Sequence, residues 1–85
     1  MGRTVYSEPS LKLGAALAEI RREKGVLQEE LATRLGKDQS LISNIERGHR
    51  RIDVLEFYTI ARALDIEPAD MFARVTEGFP HKIEV

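Results

Sequence analysis

The sequence predicts an all-α fold in which five short helices share one core. Three observations support this: apolar residues recur at helical spacing in five stretches, glycine or proline separates the stretches, and the body of the chain lacks a strand-like alternation. The 85 residues, 42% of them hydrophobic, suffice for one domain and not for two. Cysteine is absent, which excludes disulfides and thiolate zinc sites. Stability must therefore come from packing.

Helices 1 and 2 are defined by their ends. Pro9 and Ser10 begin helix 1, and Gly25 ends it in a conformation suited to glycine. Helix 2 follows this turn and stops at Gly36. The apolar positions that should face the core are Leu13, Leu17 and Ile20 in helix 1 and Leu27, Leu31, Ala32 and Leu35 in helix 2.

Capping residues define the remaining three helices. Asp38 is expected to cap helix 3, from Gln39 to Arg47, and Asp53 to cap helix 4. Pro68 suits the first turn of helix 5. The buried faces of helices 4 and 5 are predicted to contain Val54, Phe57, Ile60, Ala61, Leu64, Met71, Phe72 and Val75. Because the connections are short, consecutive helices should pack as neighbours.

The chain is accordingly divided into an N-terminal tail (1–9), a helical domain (10–75) and a C-terminal extension (76–85). In the extension, Ile83 and Val85 alternate with charged residues as in a short strand. Two structures fit this pattern equally well: a flexible tail, or a strand that pairs across a two-fold axis.

Basic charge is concentrated in one part of a chain whose formal net charge is −1. Residues 34–51 carry five basic and two acidic side chains, whereas residues 52–85 carry three basic and seven acidic ones. A local basic cluster matters more than the total when the partner is a phosphate backbone. Residues 34–51 are thus the expected contact for a nucleic acid.

Helix 3 has two chemically different faces. At 100° per residue, five polar side chains fall within roughly 140° of the helix surface, and the other side carries Leu41, Ile42, Ile45 and Glu46. The polar face consists of Gln39, Ser40, Ser43, Asn44 and Arg47. Solvated faces are usually rich in Glu and Lys, whereas Ser and Asn are poor helix formers, so helix stability does not explain this choice. Short amides and hydroxyls suit hydrogen bonding to base edges in a major groove.

Arginines adjoin this face. Arg47, Arg50 and Arg51 come at or just after the end of helix 3, where guanidinium groups would meet the phosphates that flank the bases. Helix 2, a glycine-containing turn and helix 3 then form a helix-turn-helix, whose second helix enters the groove. A solvated loop is the alternative for Arg50 and Arg51. Leu41, at the edge of the polar face, is either a core residue or a contact to a thymine methyl group.

The segment LQEELATRLGKDQSLISNIERG closely resembles the helix-turn-helix of the Cro and phage-repressor type, also called XRE-like. LAEIRREKG before it and VLEFYTIARALDIEPADMF after it resemble the other helices of that family, so the resemblance covers about residues 11–73. It implies a five-helix, lambda-repressor-like domain. It also implies a sequence-specific DNA-binding regulator, usually a homodimeric repressor on a palindromic operator, of bacterial or phage origin.

The resemblance also implies roles for single residues. Gln28 matches a glutamine that binds a backbone phosphate, and Gln39, Ser40 and Asn44 match base-reading positions with Ser43 nearby. Arg21 and Glu46 match an arginine and a glutamate that form an ion pair between helices 1 and 3. Each of the two lies at the edge of its helix's apolar stripe, which is consistent with such a pair.

Two residues depart from the family pattern. Leu27 replaces the Ser or Thr that usually caps helix 2, at a cost of about 0.5–2 kcal/mol if nothing else satisfies the free amides. Ile52 replaces a frequent proline after the basic loop, which should leave that loop less rigid. Neither removes a predicted DNA contact.

Other function classes have less support. No nucleophile–base pair, phosphate loop or metal cluster is present, since His49 and His81 are isolated, so neither an enzyme nor a metal or other cofactor is predicted. The expected partners are double-stranded DNA and a second copy of the chain, with no membrane and no small-molecule ligand, in the cytoplasm. The alternative is an antitoxin-like or protein-interaction module built on the same bundle.

Overall fold

The computed structural model describes residues 8–84 of the chain. Within that range it contains five helices and no strand: α1 (Glu8–Glu23), α2 (Gln28–Leu35), α3 (Gln39–Glu46), α4 (Val54–Ala63) and α5 (Pro68–Val75). The all-α prediction is confirmed. Helix α1 begins at Glu8, so it includes two residues that the sequence assigned to the tail. Residues 1–7 lie outside the described residues. So does Val85, one of the two apolar residues of the predicted C-terminal strand.

The turn between α2 and α3 depends on Gly36. This residue has φ +67°, in the left-handed region that favours glycine. Its N–H donates to the carbonyl of Thr33 at 3.1 Å, and the N–H of Lys37 donates to the carbonyl of Ala32 at 2.9 Å. These bonds satisfy the last carbonyls of α2 and reverse the chain within three residues, as in a helix-turn-helix.

All five helices contribute to one hydrophobic core, as the apolar stripes predict. Its buried members are Leu17, Ile20, Val26, Leu31, Ala32, Ile42, Ile45, Ile60, Ala61, Leu64, Met71 and Val75. Each large aliphatic side chain buried there stabilises the fold by about 1.5–3 kcal/mol relative to exposure. The core therefore fixes the back of α3 against the rest of the domain.

Three predictions of buried apolar side chains are wrong. Val54 is 81% exposed, Leu27 is 63% exposed and Phe72 is 58% exposed. Val54 occupies the first position of α4, and Leu27 immediately precedes α2. Phe72 lies roughly 60–100° around α5 from the buried Val75 and Met71. Its ring makes a T-shaped contact with Phe57 at 5.9 Å between centroids.

Helix α1 crosses α3 at Gly14, a feature that the sequence analysis missed. A Cβ atom at Gly14 would lie 2.5 Å from the carbonyl oxygens of both Ile45 and Glu46. No side chain fits there, since real Cβ atoms do not approach backbone oxygen so closely. The absence of a side chain thus allows α1 to rest directly on the last turn of α3.

Candidate nucleic-acid interface

A buried ion pair joins α1 to α3. The Nε of Arg21 donates to Oε2 of Glu46 at 2.7 Å, and its Nη2 donates to Oε1 at 3.0 Å. The third nitrogen, Nη1, donates to the carbonyl of Val26 at 2.8 Å. Both side chains are over nine-tenths buried. The pair that the sequence predicted is therefore present, with a bidentate geometry that compensates for the loss of hydration.

Gln28 connects this ion pair to the polar face of α3. Its Nε2 donates to Oε1 of Glu46 at 2.8 Å, and its Oε1 accepts from Nε2 of Gln39 at 3.1 Å. The result is a continuous series of hydrogen bonds from Arg21 in the core to Gln39 on the surface. The family resemblance implies a phosphate contact for Gln28, and its bonds to Glu46 and Gln39 were not predicted from the sequence.

The predicted polar face of α3 is present on the outside of the bundle. Gln39 and Ser40 are exposed in the first turn, while Ser43 and Asn44 are half-buried one turn further on. Arg47, at the C-cap of α3, donates from Nη2 to Oδ1 of Asn44 at 3.0 Å. The four polar side chains and Arg47 therefore share one surface.

Two residues next to this face, Asp38 and Leu41, belong to the structure of the helix and the core. Asp38 occupies the N-cap position of α3, as predicted, but its side chain makes no capping hydrogen bond. Leu41 is half-buried and packs against the core cluster. This packing favours the core interpretation of Leu41 over a contact with a thymine methyl group.

The loop after α3 is attached to α4 through Arg50. Its Nη2 donates to Oε2 of Glu56 at 2.7 Å and its Nη1 to Oε1 at 3.0 Å. Glu56 also accepts from the N–H of Asp53, and the Asp53 carboxylate accepts from the N–H of Glu56 at 2.7 Å. This is a capping box closed by an arginine. The spacing of Asp53 and Glu56 could have revealed it in the sequence.

These contacts change the acidity of Glu56. The hydrogen bonds from the Arg50 guanidinium, followed by that from the Asp53 backbone, lower the pKa of the Glu56 carboxyl from 4.5 to about 2. The Arg50 side chain thus links its loop to α4 through the Glu56 carboxylate. Arg51 is exposed and makes no ion pair within residues 8–84.

The start of α2 lacks a side-chain cap, as the substitution at Leu27 predicts. A leucine side chain cannot accept a hydrogen bond, so only the reciprocal half of a capping box exists: Oε1 of Glu30 accepts from the N–H of Leu27 at 2.8 Å. Leu27 nevertheless has the extended backbone of an N-cap residue, with φ −77° and ψ 158°.

The described residues show little else that could form a chemical site. Residues 8–84 contain no group of three His, Asp or Glu side chains placed to bind a metal ion. None of the helices in this range has the length and apolar character needed to cross a membrane.

Comparisons with known proteins agree with this geometry. The family model described as "Helix-turn-helix" matches residues 17–71. An uncharacterized HTH-type transcriptional regulator of Sinorhizobium fredii, y4dJ, is 37% identical over 65 residues, which are 76% of this chain and 84% of that protein.

Two solved structures show the same fold. The restriction-modification controller protein C.AhdI of Aeromonas hydrophila is 39% identical, with a TM-score of 0.73 over 78% of this chain and all of that one. An XRE-family like protein of Pseudomonas syringae is 35% identical, with a TM-score of 0.73 over 85% and 88% of the two chains. The chain therefore belongs to the helix-turn-helix family of the Cro and phage-repressor (XRE) type, a family of DNA-binding transcriptional regulators.

Proposed function

We propose that this regulator binds double-stranded DNA in a sequence-specific manner as a homodimer, and that it represses a promoter that overlaps its operator. The observation that carries the proposal is the hydrogen-bonded series from Arg21 through Glu46 and Gln28 to Gln39. It holds an exposed amide in one orientation at the start of α3, where the first residues of a recognition helix reach base edges.

The polar face of α3 supplies the base contacts in this proposal. Gln39 and Asn44 offer paired donors and acceptors that match adenine, and Ser40 and Ser43 offer hydroxyls that suit several bases. Gln39 uses one of its two amide hydrogens for the bond to Gln28, and Gln28 uses one of its two for the bond to Glu46. Each side chain therefore has a second amide hydrogen that can bond to DNA. This arrangement reduces the freedom that Gln39 would lose on binding.

We propose three phosphate contacts from among the four residues that the sequence analysis suggests. Arg47 is exposed on the polar face, Arg51 is exposed in the loop after α3, and Gln28 stands at the start of α2, next to Gln39. The Glu56 carboxylate compensates the charge of Arg50, so we propose that Arg50 holds the loop and contributes less to phosphate binding than Arg47 and Arg51 do. The proposed phosphate set is therefore Gln28, Arg47 and Arg51.

The homodimer is proposed on an exposed apolar patch made of Val54, Leu55, Tyr58 and Phe72. The first three lie within about 100° of the surface of α4, and Phe72 contacts Phe57 of the same helix, three residues after Val54. Large exposed apolar side chains that adjoin one another mark interaction surfaces. None of the four belongs to α3, so a two-fold dimer on this patch would leave the polar face free.

Such a dimer would place two copies of α3 in successive major grooves, about 34 Å apart on one side of the DNA. A roughly palindromic operator follows from the two-fold symmetry. The test is selection from random DNA duplexes with the purified protein, and we expect enrichment of a two-fold motif with half-sites one helical turn apart.

A salt titration of the selected DNA separates this function from the alternative. Several phosphate contacts predict a steep, linear fall of the logarithm of affinity with the logarithm of salt concentration. A protein-interaction module would enrich no motif and would bind its partner through apolar contacts that salt affects little. A folded protein that enriches no sequence would contradict the proposed function.

A further inference from the structure

The C-terminal extension folds back on the domain after α5. The N–H of Phe79 donates to the carbonyl of Thr76 at 3.0 Å, and Gly78 adopts φ +83° between them. The chain changes direction at this turn. The turn depends on Gly78, because a positive φ of this size is readily available only to glycine. Neither of the two structures considered from the sequence, a flexible tail or an intermolecular strand, includes such a turn.

The reversed segment lies against the first turns of α1. Phe79 and Ile83 are half-buried and line a cleft of about 180 Å³ together with Leu13 of α1. Gly78 and Pro80 line a second cleft of about 300 Å³ with Glu8 and Lys12 of α1. The extension therefore runs between two clefts that both have the start of α1 as a wall.

The first cleft also contains the loop that follows α3. Arg50, Arg51 and Ile52 line it together with Phe79 and Ile83, and Pro9, Ser10 and Ile45 complete the lining. Ile52 is half-buried and packs on the core. The loop is thus bound to Glu56 through Arg50, and it lines the same cleft as the extension.

We propose that residues 76–84 act as an intramolecular brace for residues 50–52, and that the phosphate contact of Arg51 depends on this brace. The apolar side chains of Phe79 and Ile83 restrict the space in which Ile52 and the stem of Arg51 can move. A backbone that is already ordered loses less entropy when its arginine binds a phosphate. The proposal rests on the DNA-binding function stated above, and it adds the extension to the DNA-binding apparatus.

The test compares Ile83→Ser with His81→Ser in the full chain. Ile83 lines the cleft, whereas His81 is an exposed residue of the same extension. In the DNA-free protein, NMR order parameters of the amides of Arg51 and Ile52 should fall in Ile83→Ser from about 0.85 towards 0.6, and should not change in His81→Ser. The melting temperature of each variant shows that the domain is folded.

The same variants are then titrated with selected and random DNA. Ile83→Ser should bind both roughly fivefold more weakly, with a salt slope reduced by up to about 1, because a phosphate contact carries no sequence information. Unchanged order parameters, or unchanged affinity in a folded variant, would overturn the proposal. A loss confined to selected DNA would also overturn it, because the extension would then act on base reading.

Phe79→Ser provides a second variant from the same cleft and should show the same pattern. Failure of the DNA-binding function itself is recognised separately, because the unmodified protein would then bind neither DNA. The order parameters still report in that case whether the extension orders the loop.

Discussion

Glu46 shows how one residue can serve both the core and the surface. Its carboxylate accepts two hydrogen bonds from Arg21 and one from Gln28, so the same oxygens that pair α1 with α3 also orient the amide that holds Gln39. A buried carboxylate is stable only while these donors are present. Stability of the fold and orientation of the proposed reading face are consequently linked at this position.

Replacing Glu46 by alanine should therefore destabilise the fold strongly. The change leaves the Arg21 guanidinium buried without its carboxylate, which we expect to lower the free energy of unfolding by about 3–5 kcal/mol. Urea denaturation followed by circular dichroism measures this loss. The control is Glu29→Ala, an exposed carboxylate on α2, which should change stability by less than about 0.5 kcal/mol. Equal stability of the two variants would refute the structural role of the pair.

Gln39→Ala tests the reading role of α3. Gln39 is exposed, so the domain should remain folded, but binding to the selected operator should weaken by roughly 1–3 kcal/mol, with relaxed preference at one base position. Repeated selection with the variant measures that preference. Arg51→Ala is the matched contrast, since loss of a phosphate contact should weaken all sequences alike and reduce the salt slope by about 1. A uniform loss in Gln39→Ala would contradict base reading.

Residue positions were predictable where a pattern or a family motif constrains them. The two faces of α3 follow from a 100° periodicity, and the Arg21–Glu46 pair follows from the resemblance together with the apolar stripes. The bonds of Gln28 to Glu46 and Gln39 were not predictable, because they depend on the distance between α2 and α3 across their turn. The ion pair of Arg50 with Glu56 was not predictable for a similar reason: a charge count does not show that the Glu56 carboxylate lies within reach.

At the scale of elements, the entry to α4 depends on pH. The pKa of Glu56 lies near 2 in the folded protein, below its ordinary value of 4.5, so folding favours the ionised form. This contribution to stability is complete above pH 4.5 and is lost as the pH falls towards 2. Acid should therefore loosen the connection between the loop after α3 and α4.

Glu56→Gln removes this dependence while preserving a side chain suited to the capping box. The variant should be less stable than the unmodified protein at pH 7, and the difference should shrink between about pH 5 and pH 2. Thermal unfolding at a series of pH values gives the difference. Glu29→Gln serves as the control. A difference between Glu56→Gln and the unmodified protein that is independent of pH would show that the charge of Glu56 does not act on folding.

Helix α2 offers a stabilising change. Leu27 already has the backbone of an N-cap residue and is 63% exposed, so Leu27→Ser adds a hydrogen-bond acceptor and gives up little buried surface. The expected gain is about 1 kcal/mol, since Glu30 already provides the other half of the capping box. Calorimetry measures it. A lower melting temperature would mean that the leucine side chain contributes packing that outweighs the cap.

The existence and order of the helices were predictable, whereas the exposure of some apolar residues was not. Gly25, Gly36 and Pro68 mark boundaries that the structure reproduces within two residues. Val54 and Phe72 were placed in the core because periodicity records only that a residue is apolar. It does not distinguish a side chain that meets another helix from one that faces outward.

At the scale of the whole molecule, the exposed apolar patch predicts the oligomeric state. Leu55 is 77% exposed, so Leu55→Glu should leave the fold intact while placing a charge at the proposed two-fold contact. We expect a monomer in analytical ultracentrifugation and weaker binding to the two-half-site operator. Leu27→Glu changes a similarly exposed leucine outside the patch, and this variant should still sediment as a dimer. If Leu55→Glu still formed a dimer, this patch would not be the dimer interface.

The crossing at Gly14 has a consequence for how such a regulator can acquire a new target. The contact between Gly14 and the last carbonyls of α3 sets the depth of that helix at a hard steric limit, and it involves none of the outward side chains. In the proposed function Gln39, Ser40 and Asn44 read the bases, so retargeting can proceed by exchange of these residues while the Gly14 contact stays unchanged. Any larger residue at position 14 would displace all of them together. Libraries built for altered specificity should vary the outer face and leave this glycine untouched.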